Sequence, residues 1–162
     1  MFPVRPLVVL LLLCLASSAR AHLPGESSLV LSTDAENLSV LVSLSLPSAA
    51  SLSDVGEPLS SATLDRHRPA LIAAAPRVCT LVDAAGSALR PERVLVSVFE
   101  DHEVRFHLLF PADVRPARLR MPLLSGLLGE AFCTVSDLRQ SPPSSGILTP
   151  RSLEHALAPS VP

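Results

Sequence analysis

Residues Asn37–Leu46 read NLSVLVSLSL, and this stretch decides the fold. Leu38, Val40, Val42, Leu44 and Leu46 alternate with Ser39, Leu41, Ser43 and Ser45. A period of two with one apolar face belongs to a half-buried β-strand, because successive side chains point to opposite faces of a sheet. Upstream, Ser28–Ser32 (SLVLS) is a shorter strand, and the polar turn Asp34–Asn37 joins the two as a hairpin.

Downstream, Pro47–Pro58 is rich in Ser and Ala and reads as a loop. Ser60–Ala75 turns helical: Ser61 or Thr63 caps it, Asp65 lies in the first turn, and Leu64, Leu71 and Ile72 form a partial stripe. Pro69 is expected to kink or split this helix and Pro76 to end it. Strands return at Arg77–Val82, followed by an Asp83–Ser87 turn whose Gly86 suits a positive φ. The runs Arg93–Glu100 and Val104–Phe110 alternate on either side of Asp101-His102-Glu103, which is a hairpin signal. Ala117–Met121 and Glu130–Leu138 are the last strands, with a loop or one helical turn over Pro122–Gly129.

Seven short strands with one helical insertion predict a mainly β protein: an antiparallel β-sandwich or β-meander, or an open sheet with the helix on one face. From Gln140 the composition shifts to Ser, Pro and Gly. Residues 139–162 therefore read as a mostly disordered tail, with a short helix over Ser152–Ala158 as its one element.

The first twenty-one residues read as a secretory leader. Arg5 precedes the apolar run Leu7–Leu15, and Ala19-Arg20-Ala21 supplies small residues for cleavage. The run is too short to span a bilayer as a helix, although a signal anchor is the competing reading. Cys14 lacks the small residues before it that a lipoprotein site needs. Removal of residues 1–21 leaves eleven arginines, no lysine and fifteen carboxylates, a net charge of −4. The expected location is periplasmic or secreted. The full chain's net charge of −2, with five Phe, no Trp and no Tyr, gives neither the electrostatics nor the stacking surface for nucleic acid. No transmembrane segment is expected in the mature chain.

Two cysteines remain after the leader, Cys79 and Cys133. An even pair in an oxidising compartment predicts a disulfide, closing a loop worth about 4 kcal/mol in the chain-entropy model. The alternative is two buried free thiols. Neither sits in a Cys-x-x-Cys motif or beside a His, so a catalytic thiol is not expected.

The order of elements resembles the extracytoplasmic N-terminal domain found ahead of HupE/UreJ-type membrane proteins. The likeness rests on Ala21-His22, the strand at Ser28-Leu29, the alternating strand Leu38–Leu46, the helical stretch, Leu81-Val82-Asp83 to Gly86, the hairpin Val94–Phe110 and the region Arg118–Leu138. It covers residues 21–138 and implies an antiparallel β-rich periplasmic domain. In such proteins a multi-helix membrane region follows the domain, and this sequence holds none, so no transport role is expected to carry over; no site residue carries over either, because the domain's motif defines no site.

Cleavage after Ala21 would leave His22 first, placing an α-amine and an imidazole side by side. Such nitrogen ligands suit Cu(II), and the arrangement resembles the N-terminal histidine of CopC-like periplasmic copper carriers, which are small β-sandwiches. Asp101 and His102 are the candidate further ligands; the competing reading is a processed terminus and surface histidines. No G-x-S-x-G elbow, phosphate loop or H-E-x-x-H occurs. The expectation is a non-catalytic structural or interaction module with an envelope protein partner and no cofactor, copper binding being the alternative. Asn37-Leu38-Ser39 also matches an N-glycosylation sequon.

Overall fold

The computed structural model describes residues 26–127 and 131–159, so the expected leader over residues 1–21 and His22 lie outside the described residues. The chain is mainly β and sandwich-like. A six-stranded sheet is built from β1 (Glu26–Thr33), β2 (Asn37–Ser45), β4 (Arg93–Phe99), β5 (Glu103–Pro111), β7 (Phe132–Asp137) and β8 (Ser144–Leu148). Its strand order is β4-β5-β2-β1-β7-β8. A second sheet of order β3-β6-β9 holds β3 (Thr80–Val82), β6 (Arg118–Arg120) and β9 (Glu154–Ala156).

The decisive stretch behaves as its alternation demands. Leu38, Val40, Val42 and Leu44 of β2 are buried, while Ser39, Leu41 and Ser43 face outward. Leu46 departs from the reading: Ser45 ends the strand, its hydroxyl accepting from the Ser48 amide, and α1 (Leu46–Ala50) begins with Pro47 in its first turn. Hairpin β1–β2 pairs Leu29 with Val42 and Leu31 with Val40; β5 pairs Phe106 with Val42 and Leu108 with Val40. These inward residues, with Phe110, Val104 and Val96, form one core that also takes in Leu81 and Leu119 of the small sheet. Burial of so many large apolar side chains, each contributing roughly 1.5–3 kcal/mol, is the main stabilising term.

The helical insertion, α2 (Leu64–Val78), is one continuous helix despite Pro69 and Pro76. Both prolines are exposed, so water can satisfy the carbonyls left without an N–H donor. Leu64, His67, Leu71, Ala74, Ala75 and Val78 meanwhile face the core. Tertiary packing of that face outweighs the local penalty.

The sheet is not purely antiparallel. β1 pairs with β2 on one side but runs parallel to β7 on the other, Leu29 opposite Val135. The region after Arg139 is also not a disordered tail. β8 returns antiparallel to β7, with Leu148 opposite Cys133, and β9 pairs with β6, with Leu157 buried just beyond it. The expected helix over Ser152–Ala158 is therefore strand. Composition hid this because Leu148 and Leu157 can be buried only against elements far away in sequence.

The expected disulfide is not present: Cys79 and Cys133 are free and buried. Cys79 follows the last turn of α2, and Cys133 faces inward from β7, each packed as a small apolar side chain in the shared core. Cysteine number and compartment argue for a bridge; in the structure the two thiols are unbonded, although near enough for a charge on one to act on the other.

Candidate functional site

The β4–β5 turn carries the two described residues of the expected copper set. Glu100 and Asp101 have φ of 50° and 51°, the positive values that a type I′ turn requires at both central positions. The His102 amide donates to the Phe99 carbonyl at 3.1 Å, and the His102 carbonyl accepts from the Leu46 amide at 3.3 Å. Asp101 Oδ1 accepts from the Ser61 amide at 3.0 Å. Hydrogen bonding to Ser61 holds the Asp101 carboxyl below the usual range, with His102 adding a smaller electrostatic contribution. The turn thus ties the start of α1 and the loop before α2 to the sheet, and Asp101 serves that tie.

His102 lines a small cavity of about 40 Å³ with Glu26, Ser43, Ser45 and Glu103 at one end of the sheet. Among the described residues no group of three or more His, Cys, Asp or Glu side chains is placed to hold a metal ion.

Buried polar groups elsewhere serve the fold. His67 of α2 is buried, its Nδ1 2.9 Å from Ser53 Oγ. Burial works against ionisation of Asp137, yet the Arg139 guanidinium and amide, with weaker help from His155, hold its carboxyl below the usual range. Burial pushes the Cys133 thiol up to about 11 and the Cys79 thiol higher still, where a charge on Cys133 would add repulsion. Neither thiol is a ready nucleophile.

The outward face of the six-stranded sheet is a further candidate surface. Its outward residues are exposed or half-buried, and none is buried. One cross-strand row runs Leu95, His107, Leu41, Val30, Ser136, Ser145, and the next runs Ser97, Arg105, Ser43, Ser28, Thr134, Ile147. Leu95 is 41% exposed, Phe99 42% and Ile147 64%. Arg105 lies 3.7 Å over the Phe99 ring and pairs with Glu103, to which Ser43 Oγ donates at 3.2 Å. His107 Nε2 is 2.6 Å from Ser39 Oγ. The face therefore sets apolar side chains among hydroxyls, with Arg105 and Glu103 neutralising each other. Strand alternation makes this face legible in sequence, but the β7 and β8 contribution is not, because it depends on the long-range pairing of β1 with β7.

No family model matches the chain, and no curated protein matches it. Among the described residues, no helix is long and apolar enough to cross a membrane.

Proposed function

We propose that this chain is an exported, non-catalytic interaction module, periplasmic or secreted, that meets an envelope protein partner through the outward face of its six-stranded sheet. One observation carries the reading: large apolar side chains, Leu95, Phe99 and Ile147, stand substantially exposed on a sheet face whose outward positions are nowhere buried. Leu95 and Phe99 share edge strand β4 while Ile147 lies on the opposite edge strand β8, so the reading rests on the β4 side, where two exposed apolar side chains lie among polar groups as they do at interaction surfaces. The non-catalytic half is supported by the use of polar groups as structural ties: the candidate Asp101 on Ser61, and Arg139 on Asp137. The likeness to the extracytoplasmic domain of HupE/UreJ-type proteins fits the same reading.

The test is site-specific photocrosslinking in the native envelope, with the crosslinker at Leu95 and, as control, at exposed Ala73 on α2. A discrete adduct from position 95 and none from position 73 is the expected result. Equal yields at both positions, or none at either, would refute it.

A second reading, Cu(II) binding by His22 with His102 and Asp101, has one observation in its favour. Glu26, four residues after His22, lines the same cavity as His102, and four residues of extended chain reach about 13–14 Å. Intact mass fixes the terminus; Cu(II) titration with EPR should show nitrogen ligation that weakens in His102→Ala. Binding no tighter than millimolar removes this reading.

A further inference from the structure

A second concave surface lies away from the outward sheet face, where the end of α1, the last turn of α2 and the 3-10 turn Pro122–Gly126 meet. It is a groove of about 390 Å³ lined by Ser51, Leu52, Arg77, Pro122, Leu123, Ser125 and Gly126. That volume falls at the small end of the range typical of small-molecule sites.

Its chemistry is divided. Leu52, Leu123 and Pro122 supply an apolar lining, the two leucines anchored in the core. The Ser51 hydroxyl donates to the Ser48 carbonyl at 2.7 Å and that of Ser125 to the Pro122 carbonyl at 2.8 Å, so neither proton is available to a ligand. Arg77 is the one ionised side chain among the described lining residues. Its one described hydrogen bond is a long 3.5 Å contact from Nη2 to the Leu52 carbonyl, and no carboxylate lies within ion-pair distance among the described residues. Most of a five-donor fork that matches carboxylate geometry is therefore unused at the rim.

We propose that this groove binds a short- to medium-chain aliphatic carboxylate, its head group on the Arg77 guanidinium and its alkyl chain along Leu52, Pro122 and Leu123. Charge complementarity selects an anion, and the lining selects an apolar remainder. The hydroxyls, already donating inward, offer no donor to a phosphate, which needs several. This site is independent of the sheet-face reading above and shares no residue with it.

The chain has no Trp and no Tyr, so the test uses amide shifts of ¹⁵N-labelled protein titrated with butyrate, hexanoate, octanoate and 1-octanol. Saturable shifts are expected at Arg77, Ser125 and Gly126. Affinity should rise about fourfold per added methylene until the groove is filled, and octanoate should bind more tightly than 1-octanol. Arg77→Gln should weaken octanoate at least tenfold, the loss expected for a charge-assisted hydrogen bond, and leave 1-octanol unchanged. A Cβ at Gly126 would meet nothing within 4 Å, so a side chain can start there without a clash, and Gly126→Leu, placed on the groove lining, should weaken both. No saturable shift at these residues, octanoate affinity indifferent to Arg77→Gln, or shifts confined to the outward sheet face would each overturn the proposal.

Discussion

Asp137 and Arg139 form a bidentate ion pair with both side chains buried: Arg139 Nε donates to Oδ1 at 2.8 Å and Nη2 to Oδ2 at 2.6 Å. The Arg139 amide also donates to Oδ1 at 3.1 Å, and Nη2 contacts the Ala158 carbonyl at 3.5 Å. The pair therefore joins the end of β7 to the end of the described chain. Arg139→Ala should cost about 3–5 kcal/mol, because it strands a buried carboxylate rather than merely deleting an attraction. Urea unfolding of the two proteins measures it.

The same pair sets an acid limit. The folded Asp137 carboxyl sits below its unfolded value of about 3.9, so its contribution is complete above that pH and is lost as pH falls through the folded value. The Asp137 contribution to the urea midpoint should be constant from pH 7 to about 5 and fall below pH 4. Asp137→Asn should flatten that fall, leaving the smaller part due to Asp34 and Asp101, both also held low by hydrogen bonds.

Thiol chemistry separates the two fates of Cys79 and Cys133. Both are buried, and their ionisation is suppressed. Without reductant, a colorimetric disulfide reagent at pH 8 should label neither in native protein. It should label two thiols per chain in denaturant, or three if the leader with Cys14 is retained. No labelling in denaturant would mean a bridge.

Gly146 of β8 lies against His155 of β9. A Cβ there would stand 2.5 Å from His155 Cε1 and 2.6 Å from Nδ1. Gly146→Ala should cost about 1–3 kcal/mol, the usual range for overpacking. Pairing it with His155→Ala should recover most of the loss, which a double-mutant cycle by thermal melts would show.

Neighbouring positions on β2 test the two faces directly. Val40 is fully buried and Leu41 faces outward. Val40→Asp should abolish folding, since it puts an unpaired charge in the core, whereas Leu41→Asp should keep the native circular dichroism spectrum. In the crosslinking assay Leu41→Asp should also diminish any adduct formed at Leu95, which lies in the same cross-strand row.

How much of this was legible in the chain depended on the range of the signal. β2 and β5 alternate so strictly that their core faces could be named residue by residue, and Gly86 has the positive φ, 89°, that its turn suggested. What escaped was non-local. Pro69 and Pro76 look like helix breakers until Leu71, Ala74 and Val78 are seen packed in the core. Ser144–Leu148 looks like a linker until Leu148 is set opposite Cys133. Of the copper set, Asp101-His102 read correctly as a turn, but Asp101 is engaged by the Ser61 amide, forty residues earlier in sequence.

The placement of β1 governs the order in which the fold can be completed. This strand lies between β2, its immediate neighbour in sequence, and β7, which begins more than a hundred residues later. Until Phe132–Asp137 has emerged from the ribosome, the Leu29–Leu31 edge has no second partner and the sheet stops at four strands. Such distant pairing slows closure, so a chain threading through a narrow pore would stay extensible until nearly all of it had passed.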